Sequence, residues 1–217
     1  MRRALAGALA LAALTIVSIA SGATPTNQKG TTYVSQSGGY ALTLPTTWKL
    51  VPRTTTQMKA LIATLAKKKA TAALADAYKQ IMNSAAGRAG MKAYDIQAFA
   101  WPADPSTPIP TEVSLGIEKT SRAYGKKDLP AVGAEYANEL SANKGSKVAV
   151  PKIVTLPAGP AELIYASIPA GGGFSTGVEL YLIPHGKRLY ELSFQIDAQY
   201  LQQATLFPAI AKLLKFV

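Results

Sequence analysis

The sequence predicts an α+β fold: an α/β/α sandwich with one large, mainly antiparallel sheet and helices packed on its faces. Three observations support this. Segments in which apolar residues alternate with polar ones occur near the start and in a long run towards the end. Segments with apolar residues at helical spacing lie between them and at the close of the chain. The two kinds are grouped rather than strictly alternated, which is typical of helices packed on an antiparallel sheet.

The first 23 residues have the pattern of a secretory signal peptide. "MRR" gives a positive start, and the apolar segment "ALAGALALAALTIVSIA" leads to the small residues "SGA". We expect cleavage after Ala23, with Ala20 as the alternative site; a retained membrane anchor is the other interpretation. Residues 24–32 are predicted to be a flexible leader and residues 33–217 the folded domain. The chain has no cysteine, so we expect neither a disulfide nor a lipid anchor on a cysteine.

The stretch "GGYALTLPTTW", residues 38–48, predicts the first strands. Its apolar residues alternate from Tyr40 to Leu44, and the glycine pair before them suits a tight turn from a short preceding strand. Pro45 is expected to end the strand. Trp48 is expected to fill the core at the end of the sheet rather than to stack on a ligand.

Three amphipathic helices follow from apolar residues at three- and four-residue spacing. Thr54 to Thr56 can cap the first helix, and Gly87 to Gly90 is expected to end the second. The third is expected to start at Asp128 and to end near Gly145. The apolar stripes are Met58, Leu61, Ile62 and Leu65; Leu74, Tyr78, Ile81 and Met82; and Leu129, Val132, Tyr136 and Leu140.

Strands account for most of the remaining segments. Two alternating segments, 94–98 and 113–117, are predicted to form a hairpin with the long proline-rich loop "WPADPSTPIP". Consecutive antiparallel strands are then expected in "SKVAVPKIVTL", "AELIYASIP", "TGVELYLIP" and "RLYELSFQI". The last of these should bury Tyr190, Leu192, Phe194 and Ile196 on one face. The end, "DAQYLQQATLFPAIAKLLKF", is predicted to be helical through Leu206, Ile210 and Leu213, with Pro208 kinking it or opening its last turns.

The chain is basic, with a net charge of +11 that falls to +9 once the two signal arginines are removed. Outside the cytoplasm such a surface would meet an anionic lipid or wall polymer rather than nucleic acid. The candidate binding residues are two lysine clusters: Lys67, Lys68 and Lys69, and Lys126 and Lys127. The alternatives are that the charge serves solubility alone, and that the first cluster only complements the C-terminal end of a helix dipole.

No residue pattern indicates a catalytic or metal site, and no cofactor is expected. His185 is the only histidine, and its place in "IPHGKR" indicates an exposed turn. Ser175 lies in "AGGGFSTG", interpreted as a mobile hairpin loop, which lacks the strand-to-helix context of a nucleophile. Glu112 and Glu118 share one face of a strand, interpreted as solvent-facing, and are separated by about 20 Å, too far for paired carboxylate catalysis.

Four segments together resemble the PsbP-like superfamily, including secreted bacterial members of the LpqN type. They are "GGYALTLPTTW", "LPAGPAELIY", "GKRLYELSFQID" and the closing "AIAKLLKF", and the resemblance extends over nearly all of residues 33–216. It implies an α/β/α sandwich and non-catalytic binding, and it supplies no shared functional residue. The lipoprotein members carry a cysteine at the cleavage site, which this chain lacks.

The sequence therefore leaves three functional classes open. The preferred class is a secreted, non-catalytic binding or accessory module of the cell envelope, which meets an envelope protein or an anionic envelope polymer or lipid. The alternatives are a structural or assembly protein of the envelope and an uncharacterised hydrolase. After signal cleavage no membrane span is expected.

Overall fold

A computed structural model describes residues 30–52, 54–85, 87–89, 94–100, 111–171 and 173–217. The predicted signal peptide, most of the predicted leader and the loop "WPADPSTPIP" lie outside the described residues. Among the described helices, none is long and apolar enough to cross a membrane.

The segment around "GGYALTLPTTW" forms a small sheet of three antiparallel strands. Strand β1 (Gly30–Ser35) pairs with β2 (Tyr40–Pro45), and β2 also pairs with the closing strand β11 (Lys215–Phe216). Gly39 has a φ of +72°, which favours glycine in this tight turn. The hairpin and the end at Pro45 are as predicted, although β1 begins at Gly30, within the predicted leader.

The large sheet has eight strands, and all of its pairs are antiparallel. The predicted hairpins are present. "SKVAVPKIVTL", however, forms two short strands along one edge of β8, because Pro151 cannot donate a ladder hydrogen bond. Ser175 lies within β9 and pairs with Pro169, so the predicted loop is shorter than expected. The order is β3 (Trp48–Leu50), β4 (Tyr94–Ala100), β5 (Glu112–Lys119), β10 (Arg188–Asp197), β9 (Phe174–His185), β8 (Gly159–Gly171) and β6 (Lys147–Val148), with β7 (Lys152–Leu156) also on β8.

Three helices cover one face of the large sheet. They are α1 (Thr55–Ala66), α2 (Lys69–Asn83) and α3 (Leu129–Ser141). The Thr54 side chain caps α1 by accepting from the Gln57 amide, as predicted. Helix α2 ends at Asn83, before the predicted glycines, because Ser84 is extended and its Oγ accepts from the Gly87 amide at 2.9 Å.

The opposite face packs against the small sheet and helix α4 (Leu206–Ala211). Phe194 of β10 stacks on Phe207 of α4 with ring centroids 4.8 Å apart, and Trp48 is buried in this core, as predicted. The predicted closing helix is wrong in extent. It is short, Leu214 is buried whereas Leu213 is exposed, and the final "KF" is strand β11. Helices on both faces of an antiparallel sheet confirm the predicted fold class.

Candidate functional site

A row of three basic side chains crosses one end of the large sheet. Arg188 at the start of β10 lies directly opposite Lys119 at the end of β5 and His185 at the end of β9. Directly opposed residues on adjacent strands point to the same face, with Cβ atoms about 5 Å apart. We call Lys119, Arg188 and His185 the basic row. Along the same face it lies two residues beyond the buried Tyr190 and Ile183 and the partly buried Ile117.

Two members of the basic row are held in place by the small sheet. Arg188 Nη1 donates to the Gly38 carbonyl at 2.6 Å and to the Ser37 carbonyl at 3.0 Å. The His185 ring stacks on Phe216, with centroids 3.9 Å apart and planes 17° from parallel. These contacts hold the two side chains close to one geometry before any ligand binds.

The basic row opens into a cavity of about 550 Å³. Lys187, in the turn between β9 and β10, also lines it. The two ion pairs formed within the described residues, Lys79 with Asp76 and Arg122 with Asp128, involve none of these cations. Within the described residues, the cations of this cavity therefore form no ion pair with a carboxylate side chain.

The lysine clusters singled out from the sequence lie elsewhere. Lys126 and Lys127 are exposed in a 3-10 turn that follows the Lys119 end of β5 and leads into α3. Lys67 caps the C-terminal end of α1, but Lys69 is the first residue of α2. The dipole interpretation is therefore wrong for Lys69, which faces the positive end of a helix. The α1–α2 pair packs beside Phe99, which pairs with Glu112 at the other end of β5, so this cluster is not part of the basic row.

The sequence predicted that His185 is exposed at a turn, and the structure confirms that it is exposed beside one. The sequence did not predict that His185 lies next to Arg188 and in one row with Lys119. "HGKR" marks a basic hairpin turn. Only the pairing of β5 with β10 adds Lys119, and these strands are far apart in the chain.

The helix-covered face of the large sheet carries a second unusual feature, a strip of buried polar side chains on its central strands. The members of this polar strip are Gln97, Glu112, Ser114, Glu191, Ser193 and Gln195. The interpretation of Glu112 as solvent-facing is wrong, because α2 packs over it and the Tyr78 hydroxyl donates to its Oε1 at 3.4 Å. Ser114 Oγ is buried without a hydrogen-bond partner in the described part of the chain.

Tyrosines from two helices donate to the carboxylates of this face. The Tyr136 hydroxyl of α3 lies 2.8 Å from Glu191 Oε1 and 3.3 Å from Glu118 Oε2. Burial raises the pKa of Glu112 and of Glu191 to about 7, although hydrogen bonds from Tyr78 and Tyr136 respectively oppose this rise. Burial also raises the pKa of both tyrosines, so their hydroxyls remain donors.

The two carboxylates within the polar strip, Glu112 and Glu191, do not lie close together. Glu112 and Glu191 are offset by four positions in the β5–β10 register, or about 13 Å along the strands. Three or more His, Cys, Asp or Glu side chains placed to hold a metal ion are not found in the described ranges. What this face does is attach α2 and α3 to the sheet through tyrosine–carboxylate hydrogen bonds.

Comparison with known proteins shows a similarity of fold. No protein-family model and no curated protein matches the chain. The solution structure of cyanobacterial PsbP (CyanoP) from Synechocystis sp. PCC 6803 matches with a TM-score of 0.52 and 10% identity, covering 92% of this chain and 99% of that one. A crystal structure from Bacteroides thetaiotaomicron matches with a TM-score of 0.44 and 9% identity, covering 87% of this chain and 48% of that one. The first of these matches shows that the chain has a PsbP-like fold.

Proposed function

We propose that this chain is a non-catalytic binding module of the bacterial cell envelope, of the secreted LpqN type, that binds an anionic envelope component through the basic row. The observation that carries the proposal is the cross-strand placement of Lys119, Arg188 and His185 at the mouth of a cavity. The apolar N-terminal segment, with its small residues before position 24, supports export of the chain.

The basic row costs stability when no ligand is bound. Like charges directly opposite each other on neighbouring strands are destabilising, whereas opposite charges would stabilise the pair by about 0.2 to 1 kcal/mol. An anion placed between Lys119 and Arg188 would remove the repulsion between them. The contacts of Arg188 and His185 with the small sheet account for those two side chains, whereas a binding role accounts for placing Lys119 directly opposite Arg188.

The side chains favour phosphate or carboxylate groups as ligands. Arg188 is fixed through Nη1, and its planar guanidinium suits bidentate contact with such oxyanions. Lys119 and Lys187 are exposed and can adjust to groups of different size. The same chemistry is present on an anionic lipid headgroup and along an anionic wall polymer.

Cosedimentation tests this proposal and separates the two ligand sources. The chain is mixed with phosphatidylglycerol vesicles, with phosphatidylcholine vesicles, or with polyphosphate attached to beads, and binding is measured at about 0.01 M and about 1 M salt. We expect binding to the anionic partners only, and its loss at high salt, where the Debye length falls to about 3 Å. Vesicle binding without polyphosphate binding would identify a lipid as the ligand.

A matched pair of variants separates the basic row from net charge. Lys119→Glu combined with Lys187→Glu changes the charge at the cavity, and Lys59→Glu combined with Lys144→Glu changes it equally at exposed sites elsewhere. We expect the first pair to abolish binding and the second to weaken it only slightly. Equal losses in both pairs, or no binding at low salt, would refute the proposal.

A further inference from the structure

A second cavity, which shares no lining residue with the basic row, lies between helix α1 and the β3–β4 edge of the large sheet. Its volume is about 660 Å³, within the range of small-molecule sites. The end of β3 and the segment after it form one wall, the first turns of α1 form a second, and β4 forms a third. We call this cavity the α1 cleft.

The interior of the α1 cleft is apolar. Val51 and Met58 are buried at its base, and Met82 and Ile96 are partly buried around it. Unbranched methionine side chains adapt to irregular apolar ligands. The binding of an apolar chain here would be favoured because the chain is removed from water.

Donors and acceptors both line the α1 cleft, and two of its polar side chains, Arg88 and Gln57, offer donors at its edge. Arg88 Nη1 donates to the Met82 carbonyl at 2.6 Å, which anchors the guanidinium at the cleft and leaves its Nε and Nη2 as donors. Gln57 Oε1 accepts from Thr54 Oγ1 at 2.9 Å, so the Gln57 Nε2 group remains a donor. Asp95 also lines the cleft, but this carboxylate interacts within the protein.

From this arrangement we infer that the α1 cleft binds a small molecule with an apolar chain that ends in a carboxylate or phosphate group. The chain lies against Val51, Met58 and Met82, and the acidic group accepts from Arg88 and Gln57. The polar donors select an acceptor, and the positive charge of Arg88 selects an anionic one. The inference does not depend on the proposed function, because the cleft and the basic row share no residue.

Calorimetric titration of the chain with dodecanoate, dodecyl phosphate and dodecanol, each below its aggregation concentration, tests the site. We expect the two anions to bind and dodecanol to bind at least about tenfold more weakly, because it offers no charge to Arg88. Comparison of the two anions shows which acidic group the cleft prefers.

Variants then assign binding to the cleft. Arg88→Gln should weaken dodecanoate binding about tenfold and leave dodecanol binding unchanged. Met82→Trp should weaken the binding of both dodecanoate and dodecanol, because the larger side chain fills the apolar interior. If Met82→Trp lowers the melting temperature, Leu50→Trp is used in its place, because Leu50 also lines the cleft but is exposed. Arg122→Gln is the control, since Arg122 is an exposed arginine paired with Asp128 elsewhere.

The outcomes separate this inference from the proposed function. Lys119→Glu combined with Lys187→Glu should leave dodecanoate binding unchanged while vesicle binding is lost. No heat with any of the three ligands, or binding that neither Arg88→Gln nor both tryptophan variants alter, would overturn the inference. Loss of dodecanoate binding in the Lys119 and Lys187 variant would instead place the site at the basic row.

Discussion

Replacing Glu112 with glutamine should stabilise the protein above pH 7 and have little effect at pH 4. Glu112 is buried beneath α2, and burial raises the pKa of its carboxyl from 4.5 to about 7. Glutamine has nearly the same shape, and its Oε1 can still accept from the Tyr78 hydroxyl or from the Gln97 side chain, the two groups that hydrogen-bond to Glu112. The substitution therefore removes the charge without opening a cavity.

The direction of this pH dependence follows from the order in which the unfolded and the folded protein lose the Glu112 proton as the pH rises. Between pH 4.5 and pH 7 the unfolded carboxyl has lost its proton while the folded one retains it, so the unfolding free energy falls as the pH rises. The full stability is present below pH 4.5 and the loss is complete above pH 7. At 1.36 kcal/mol for each pKa unit, the difference between 4.5 and about 7 corresponds to about 3 kcal/mol.

Other groups do not reverse this trend. Glu191 also has a pKa near 7, raised by burial against the hydrogen bond from Tyr136, so it adds to the loss over the same window. The hydrogen bond from Arg122 lowers the pKa of Asp128 to about 2, which affects stability only below pH 4. The wild-type protein should thus be more stable at pH 5 than at pH 8.

Urea denaturation at pH 4, 5.5 and 8 measures the effect in the wild type, in Glu112→Gln and in the control Glu135→Gln, an exposed position on α3. We expect Glu112→Gln to raise the unfolding free energy by about 3 kcal/mol at pH 8 and to match the wild type at pH 4. The reasoning is refuted if the wild type gains stability from pH 5.5 to pH 8, or if Glu112→Gln is destabilising at pH 8.

Three further predictions concern residues on other elements. Trp48→Ala should lower the unfolding free energy by about 3 to 5 kcal/mol in urea denaturation, because the ring is buried in the core. Unchanged melting together with lost ligand binding would instead show that Trp48 is a recognition residue. Gly133→Ala should destabilise α3 by about 1 to 3 kcal/mol despite the better helix propensity of alanine, because the added Cβ would lie 2.5 Å from Glu162 Cγ; the cost should largely disappear beside Glu162→Ala. Charge reversal of Lys67 to Lys69 should leave melting nearly unchanged and weaken vesicle cosedimentation only slightly, through the lower net charge; a loss of binding equal to that of the basic-row variant would show that this cluster binds the anion.

Local patterns were sufficient to predict most helices and strands. The three-and-four spacing around Met58 and Tyr136 and the alternation from Tyr190 to Phe194 each correspond to an observed element with the predicted face buried. These patterns work because one face of each element meets the core. The closing segment failed because Leu213 fits a helical stripe as well as Leu214 does, and only the tertiary packing selects Leu214.

The hairpin around "HGKR" brings His185 and Arg188 together, but the rest of the candidate site could not be predicted, because Lys119 joins them only through the pairing of β5 with β10. The alternation within β5 places Glu112 and Glu118 on one face, but it does not show that helices cover that face. Likewise, no local pattern indicates that Lys119 faces Arg188. Non-local pairing of this kind brings side chains together independently of their sequence spacing.

The small sheet has a consequence for the time course of folding. Its central strand β2 pairs with β11, and the Gly38 carbonyl accepts from Arg188 and from Tyr190 about 150 residues later. A chain emerging amino-terminus first, from a ribosome or through a membrane channel, must expose the apolar side of the first hairpin until these late residues arrive. Contacts so distant in sequence form slowly. The β1–β2 hairpin is therefore the segment we expect a chaperone or protease to meet first.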